Sequence, residues 1–359
     1  MICILKIFFI VCFFVDKRLR LSKSSYIDRM EILCYNKIIG GISMNDFGFK
    51  TNSIDGISQD MIDAIIDASI EVQVSKSGGN NKCKIVNYNG QDYAVLKTTN
   101  IECYNLSRPS SKNRNMSKED IMSTGEFNFD EVMRIGASLK DNHVVPVLGF
   151  SWDTQKVGEY GDCAYARGFI VQPKAPGREL YDGVRYMYEY KAEEVAVLID
   201  YTKKYAKIPP KHFADFVTNY IAISQDLAID PSKRGNFFYD EQTGFYFIDL
   251  NFHQNLNKTQ DEITAEAVRY SIGQFRTIYD GLFKTFPEDE QVEYATASKE
   301  IFENIIKGYT MAGIDKSMLI EALDEQTKDN GVFESVGVTS TEQFVEDTLA
   351  KAQQEDKVQ

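Results

Sequence analysis

Asp230-Pro-Ser-Lys-Arg-Gly-Asn236 runs directly into Phe237-Phe-Tyr-Asp-Glu-Gln-Thr-Gly-Phe-Tyr-Phe-Ile248 and then Asp249. Two short aromatic runs on either side of a turn at 240–244 predict a β-hairpin. Asn236 stands just before the first strand and Asp249 ends the second, so both side chains fall at one end of the hairpin. A carboxylate paired with an amide oxygen is a hard-ligand set suited to magnesium beside nucleotide phosphates. Phosphate transfer also needs a second carboxylate to orient the acceptor hydroxyl and take its proton. A surface Asp and Asn around an ordinary hairpin would give the same string, so the rest of the chain decides.

Upstream, the pattern is one of short strands. Residues 70–74 and 84–88 alternate apolar and polar around Ser77-Gly78-Gly79-Asn80-Asn81, a hairpin with a flexible tip. Residues 91–98, entered through Asn89-Gly90, form a third strand. A polar loop at 107–115 leads to a helix at 130–140, with Val132, Ile135 and Leu139 on one face. Residues 144–150 and 164–171 read as strands around an acidic, Gly-containing loop. Downstream, helices are expected at 193–207 and 212–227, broken by Pro209-Pro210, and at about 262–283, 288–309 and 316–327. The segment from Thr341 is charged and reads as a single helix. A small antiparallel lobe followed by a helical lobe with one buried hairpin is α+β organisation.

In this order the motifs resemble those of the protein-kinase-like superfamily, over roughly residues 70–285. Tyr93-Ala94-Val95-Leu96-Lys97 is similar to the kinase third strand, whose lysine pairs the nucleotide phosphates. The resemblance makes Glu131 the helix partner of Lys97, with Glu126 and Asp130 as less well placed alternatives. Phe169 to Leu180 resembles the fifth strand, hinge and following segment. It implies adenine contacts at Gln172, Pro173 and Ala175, with Gln172 at the gatekeeper position. Pro173 keeps only its carbonyl, and Ala175 still offers its N–H. Gly78 and Gly79 stand where kinases have a phosphate-cradling loop, although GxGxxG is absent. By the same resemblance Asp230 is the catalytic base, Lys233 neutralises phosphate charge, and Asn236 with Asp249 holds magnesium.

The chain departs from the kinase pattern in three places. The interval from Asp230 to Asn236 is one residue longer than usual, Ala228-Ile229 replaces His-Arg, and Asp249-Leu250-Asn251 replaces Asp-Phe-Gly. The expected fold is bilobal and kinase-like, with an ATP-binding lobe over 44–175, a helical lobe over 176–330 and a charged tail over 331–359. The expected activity is ATP- and magnesium-dependent transfer of the γ-phosphate to a hydroxyl of a protein or small-molecule acceptor. A pseudokinase acting as a nucleotide-binding or protein-interaction module is the alternative, and transfer of AMP stays open. The short span 251–261, with no Ala-Pro-Glu, favours a small molecule or an unusual protein as acceptor, whereas Lys233 is more typical of protein kinases.

Composition narrows the classes. The 359 residues carry a net charge of −13, with 43% hydrophobic and 26% charged residues. That balance argues against nucleic acid and against an anionic membrane surface as partners. Six cysteines without a CxxC pair and only three histidines give no zinc spacing. The first 15 residues are almost wholly apolar and precede the basic Lys17-Arg18-Leu19-Arg20. This run is shorter than the about 20 residues of a membrane-spanning helix. It lacks a small-x-small cleavage site, and Gly40-Gly41 could be encoded by a ribosome-binding GGAGGN before Met44. Residues 1–43 are therefore set apart from the fold as an extension, with translation expected to start at Met44. The expected location is cytoplasmic on that start, and membrane-associated if the apolar segment belongs to the protein.

Overall fold

The computed structural model describes residues 49–77, 81–103, 133–160, 163–182, 189–226, 236–248, 258–276, 282–327 and 331–358. Contacts divide the chain into residues 1–49 and 50–359; the elements below belong to the second unit, with β1 starting at its boundary. The architecture is α+β, a small largely antiparallel sheet followed by a larger helical part. The sheet contains β1 (Phe49–Ser53), β2 (Lys76–Ser77), β3 (Asn81–Tyr88), β4 (Gln91–Cys103), β5 (Gly149–Tyr160) and β6 (Cys163–Pro173). Its order is β1-β5-β6-β4-β3-β2. The β2–β3, β3–β4, β4–β6 and β5–β6 pairs are antiparallel.

The β3–β4 turn follows from two residues. Asn89 (φ 51°) and Gly90 (φ 83°) are both left-handed, and Tyr88 pairs with Gln91. This is the two-residue hairpin turn whose twist suits the flanking strands, and Asn-Gly is its preferred pair.

Helix α1 (Gln59–Ser69) was not anticipated. Ser58 caps it by accepting from Met61 N, and Ile62, Ile65, Ile66 and Ser69 form its buried stripe. Their i, i+3, i+4, i+7 spacing is the ordinary helical signature and could have located the helix from sequence. Residues 70–74, expected as a strand, instead terminate this helix: Ile70 caps it, with its N–H on Asp67 O. The strand pairing with β3 is only Lys76–Ser77, and the tip at Gly78 and Gly79 lies outside the described residues.

A second correction concerns 144–150. The strand begins at Gly149, and the sequence expected as an acidic loop continues the β5–β6 ladder, with a register shift between Trp152 and Val157. Val144 instead makes an isolated parallel bridge to Phe247 in the helical part. Apolar character at Val144 and Val145 therefore reflects packing against the hairpin in the helical part, whereas Leu148 bonds to Val171 O at the end of the β5–β6 ladder. Helix α2 is described over 133–138, where Ile135 is buried; Leu139 just beyond it is buried too.

The helical part contains α3 (Ala192–Tyr205), α4 (Pro210–Asp226), α5 (Gln260–Gly273), α6 (Glu288–Met311), α7 (Lys316–Thr327), α8 (Val332–Ser335) and α9 (Thr341–Val358). The expected helix at 262–283 ends earlier, at Gly273, and a separate 3-10 turn occupies Phe283–Thr285. Thr259 and Glu262 form a full capping box at the start of α5. Gly308 lets α6 approach α4 closely, because a Cβ there would lie 2.7 Å from Phe213 Cβ and 2.9 Å from Ala214 N. Phe333, Phe344 and Val345 join the same core as Phe213, Phe216 and Tyr309, so the segment after 331 packs as part of this layer.

At the centre lies the anticipated hairpin, β8 (Phe237–Asp240) and β9 (Gly244–Phe247). Phe237, Phe245 and Phe247 are fully buried, with Phe216 stacked 5.4 Å from Phe247. Asp240 accepts from Gln242 N, Thr243 N and Thr243 Oγ1, closing the turn. Gly244 follows at φ 93°.

Candidate nucleotide and metal site

The hairpin register fixes the geometry at its open end. Phe237 pairs with Phe247, and Ile248 N donates to Asn236 O at 2.9 Å. Asn236 thus sits opposite Ile248, one residue before Asp249. Asn236 is 4% exposed, and its side-chain nitrogen has no hydrogen-bond partner among the described residues. Burying an amide without a partner costs roughly 1–3 kcal/mol. Its N and O are interchangeable by a flip about the last side-chain bond, so an oxygen can be offered at this position to a cation. Asp230, Lys233, Glu131 and Asp249 lie outside the described residues. Among the described residues no group of three or more His, Cys, Asp or Glu gathers as a metal site.

The segment joining the two parts is held by the same hairpin. Arg178–Glu179 forms β7, which pairs with Tyr239 and Phe238 of β8. Leu180 N donates to Phe237 O at 2.9 Å. Gly177 (φ 73°) passes so close to the hairpin that a Cβ would lie 2.7 Å from Asp240 N and nearer still to the Tyr239 carbonyl. Tyr181 also has positive φ (53°), and its N–H donates to the Tyr205 hydroxyl. Lys174 N is spent on Asp92 O, and Pro173 and Pro176 have no N–H. No backbone bond to the Ala175 N–H occurs among the described residues, and Ala175 is buried.

Strand alternation separates two residues that the sequence reading put at one site. Lys97 pairs with Phe169 and Val95 with Val171, whereas Gln172 pairs with Ala94. Lys97, Val95 and Val171 share one face of the sheet, and Gln172, 7% exposed, projects from the other. On the Lys97 face, it is Val171 that precedes the linker.

Helix α1 lies across this face. Gly149, Val171, Val95 and Lys84 form one row through four strands. A Cβ on Gly149 would lie 2.7 Å from Ile62 Cγ1, and Lys84 Nζ donates to Ser69 O (2.6 Å) and Ile70 O (3.1 Å). Thr51 Oγ1 bridges Asp63 (2.6 Å) and Ser151 Oγ (3.0 Å), tying the start of α1 to the Lys97 row. Burial pushes the carboxyl of Asp63 above its ordinary range, with the Thr51 hydrogen bond opposing it. Burial and then the Asp63 charge push Asp67 up as well. The footprint of α1 therefore separates Lys97 from the linker at 173–175.

Around the hairpin tip, burial pushes the Tyr239 phenol up to about 12, helped by Glu241 and Asp240. The Thr243 hydroxyl holds Asp240 below the usual carboxylate range. These groups lie at the opposite end of the ladder from Asn236 and shape the turn.

No protein-family model and no curated protein matches the chain. Among solved structures it is similar to the crystal structure of spectinomycin phosphotransferase in complex with ADP and spectinomycin. The identity is 10%, the TM-score 0.23, and the match covers 77% of this chain and 92% of that one. A likeness at that score carries no argument about fold or chemistry. Among the described residues no helix is long and apolar enough to cross a membrane.

Proposed function

We propose that this chain is a divergent kinase-like phosphotransferase using ATP and magnesium. The observation that carries the reading is the hairpin register, which sets the buried Asn236 opposite Ile248 and next to the chain position of Asp249, with its side-chain nitrogen unpartnered among the described residues. Asn236 and Asp249 would hold the metal, a one-amide, one-carboxylate set of hard oxygen ligands. When bound, magnesium neutralises charge on the phosphate oxygens. Asp230 would accept the proton of the acceptor hydroxyl as its oxygen attacks the γ-phosphorus, the bond to the bridging oxygen breaks, and ADP departs. Lys97 and Lys233 would balance phosphate charge, with Glu131 orienting Lys97. The Ala175 N–H, which makes no backbone bond among the described residues, would offer adenine a contact on the linker. The acceptor is a protein or small-molecule hydroxyl. Asp249→Ala tests the mechanism: ATP turnover should fall at least 100-fold while the fold persists, and turnover near the parent rate would discard it.

A second reading is favoured by one observation, the placement of α1 between Lys97 and the linker. A nucleotide bridging those two would compete with α1 for the sheet face. On this reading the chain is a pseudokinase that binds nucleotide or a protein partner without transferring phosphate. Loss of ATP consumption in Asp230→Asn, against a consuming parent, contradicts it.

A further inference from the structure

We propose that Lys82 and Lys97 form an anion-binding pair on the sheet, a seat for the phosphate groups of a di- or triphosphate. The proposal rests on the phosphotransfer reading for the identity of the ligand and on the strand register for the site. Lys82 of β3 and Lys97 of β4 are direct cross-strand partners, so both side chains leave the same face of the sheet. Like charges directly opposite each other on neighbouring strands are destabilising. Lys84 adds a further lysine to that face two residues along β3, but its ammonium is spent on the Ser69 and Ile70 carbonyls at the end of α1. No ion pair of Lys82 occurs among the described residues.

The packing of α1 sets this pair apart from the rest of the face. The helix covers the row formed by Gly149, Val171, Val95 and Lys84. The next row on the same face, two residues along each strand, holds Ser151, Phe169, Lys97 and Lys82. Its Ser151 end is fully buried and bonded to Thr51. The other end opens to solvent: Phe169 and Lys97 are half-buried and Lys82 is exposed. Because α1 ends against Lys84, the lysine pair lies past the helix, on the side away from the linker. A polyphosphate can therefore reach it without displacing α1. Its oxygens accept from both ammoniums, each of which carries three donors, and its charge turns the repulsive pair into an attractive triad.

The test uses the full chain and inorganic pyrophosphate, which carries the phosphate groups but no base. Dissociation constants are read from the pyrophosphate-dependent rise in melting temperature at low ionic strength. Three proteins are compared: the parent, Lys82→Gln, and Lys211→Gln, which removes an exposed lysine of α4 as a control. The constant should rise roughly 10-fold in Lys82→Gln, the loss of one charge-assisted hydrogen bond, and stay at the parent value in Lys211→Gln. Without the probe, Lys82→Gln should melt at or above the parent, because the like-charge contact is gone. No pyrophosphate response in the parent, equal constants in the parent and Lys82→Gln, or the same weakening in Lys211→Gln overturns the proposal. A Lys82→Gln protein that melts well below the parent without the probe assigns the lysine a structural role and overturns it too. A magnesium-dependent ATP shift with no pyrophosphate response defeats this proposal and leaves the phosphotransfer reading standing. A pyrophosphate response that weakens in Lys82→Gln, with no ATP shift at all, upholds the lysine pair and defeats that reading.

Discussion

Gly177→Ala perturbs the contact that fastens the linker to the hairpin. Two costs are readable from the structure. At φ 73° an alanine adopts the left-handed region, which costs roughly 1–2 kcal/mol. Its Cβ would also stand 2.7 Å from Asp240 N and closer to the Tyr239 carbonyl, all backbone atoms that no side-chain rotation can clear. Such overpacking costs about 1–3 kcal/mol. If the linker lifts instead, the bond from Leu180 N to Phe237 O and the β7–β8 ladder loosen, at about 1 kcal/mol for each hydrogen bond. The two costs sum to about 2–5 kcal/mol, or a fall in Tm of roughly 3–8 °C for a unit of this size. Gly313→Ala is the control: Gly313 has φ 80° but nothing within 4 Å of a Cβ, so it bears only the conformational cost. Circular dichroism melts of both variants separate the two contributions. A Gly177→Ala protein that melts within about 1 °C of Gly313→Ala, below the about 1 kcal/mol minimum assigned to the clash, would refute the claim that β7 is clamped on the hairpin.

Two further outcomes concern α1. Lys84→Met keeps the apolar stem but removes the ammonium from Ser69 O and Ile70 O, and should destabilise by about 1–2 kcal/mol in denaturant unfolding. An unaltered midpoint would mean that α1 does not end against β3. Asp67→Asn tests the electrostatics: the folded-state carboxyl is raised, so its ionised form is penalised at neutral pH and the penalty disappears as pH falls below the ordinary carboxylate value of about 4. The variant should therefore melt higher than the parent at pH 7, with the gap closing on acidification, and a gap constant with pH would contradict the assignment.

The parts of this fold that sequence made legible are those governed by local chemistry. Asn89-Gly90 forces a tight turn, Asp240 to Gly244 closes a hairpin through side-chain bonds to its own backbone, and 316–327 carries a helical repeat seen unchanged in α7. Residues whose apolar character serves long-range packing were misread. Val144 and Val145 look like strand residues, yet they are buried because they bridge to Phe247, about a hundred positions away. Ile70 looks like the start of a strand but ends a helix whose own repeat begins at Ile62. At the site, the Asn236 position followed from hairpin symmetry. The facing of Gln172 did not, because it depends on a register with β4 that a linear motif does not carry. The close approach at Gly177 was hidden for the same reason: it is defined by the backbone that Gly177 touches across the fold.

The central claim is a magnesium-dependent nucleotide site at the open end of the β8–β9 hairpin. Its most direct test is the melting temperature of the full chain with ATP, with magnesium, and with both, in the parent and in Asp249→Ala. Binding to the folded state alone stabilises by about 2.7 kcal/mol at a hundredfold excess over Kd. The account predicts a shift that needs both ligands in the parent and disappears in Asp249→Ala. An equal shift in the two proteins, or none in either, would contradict it.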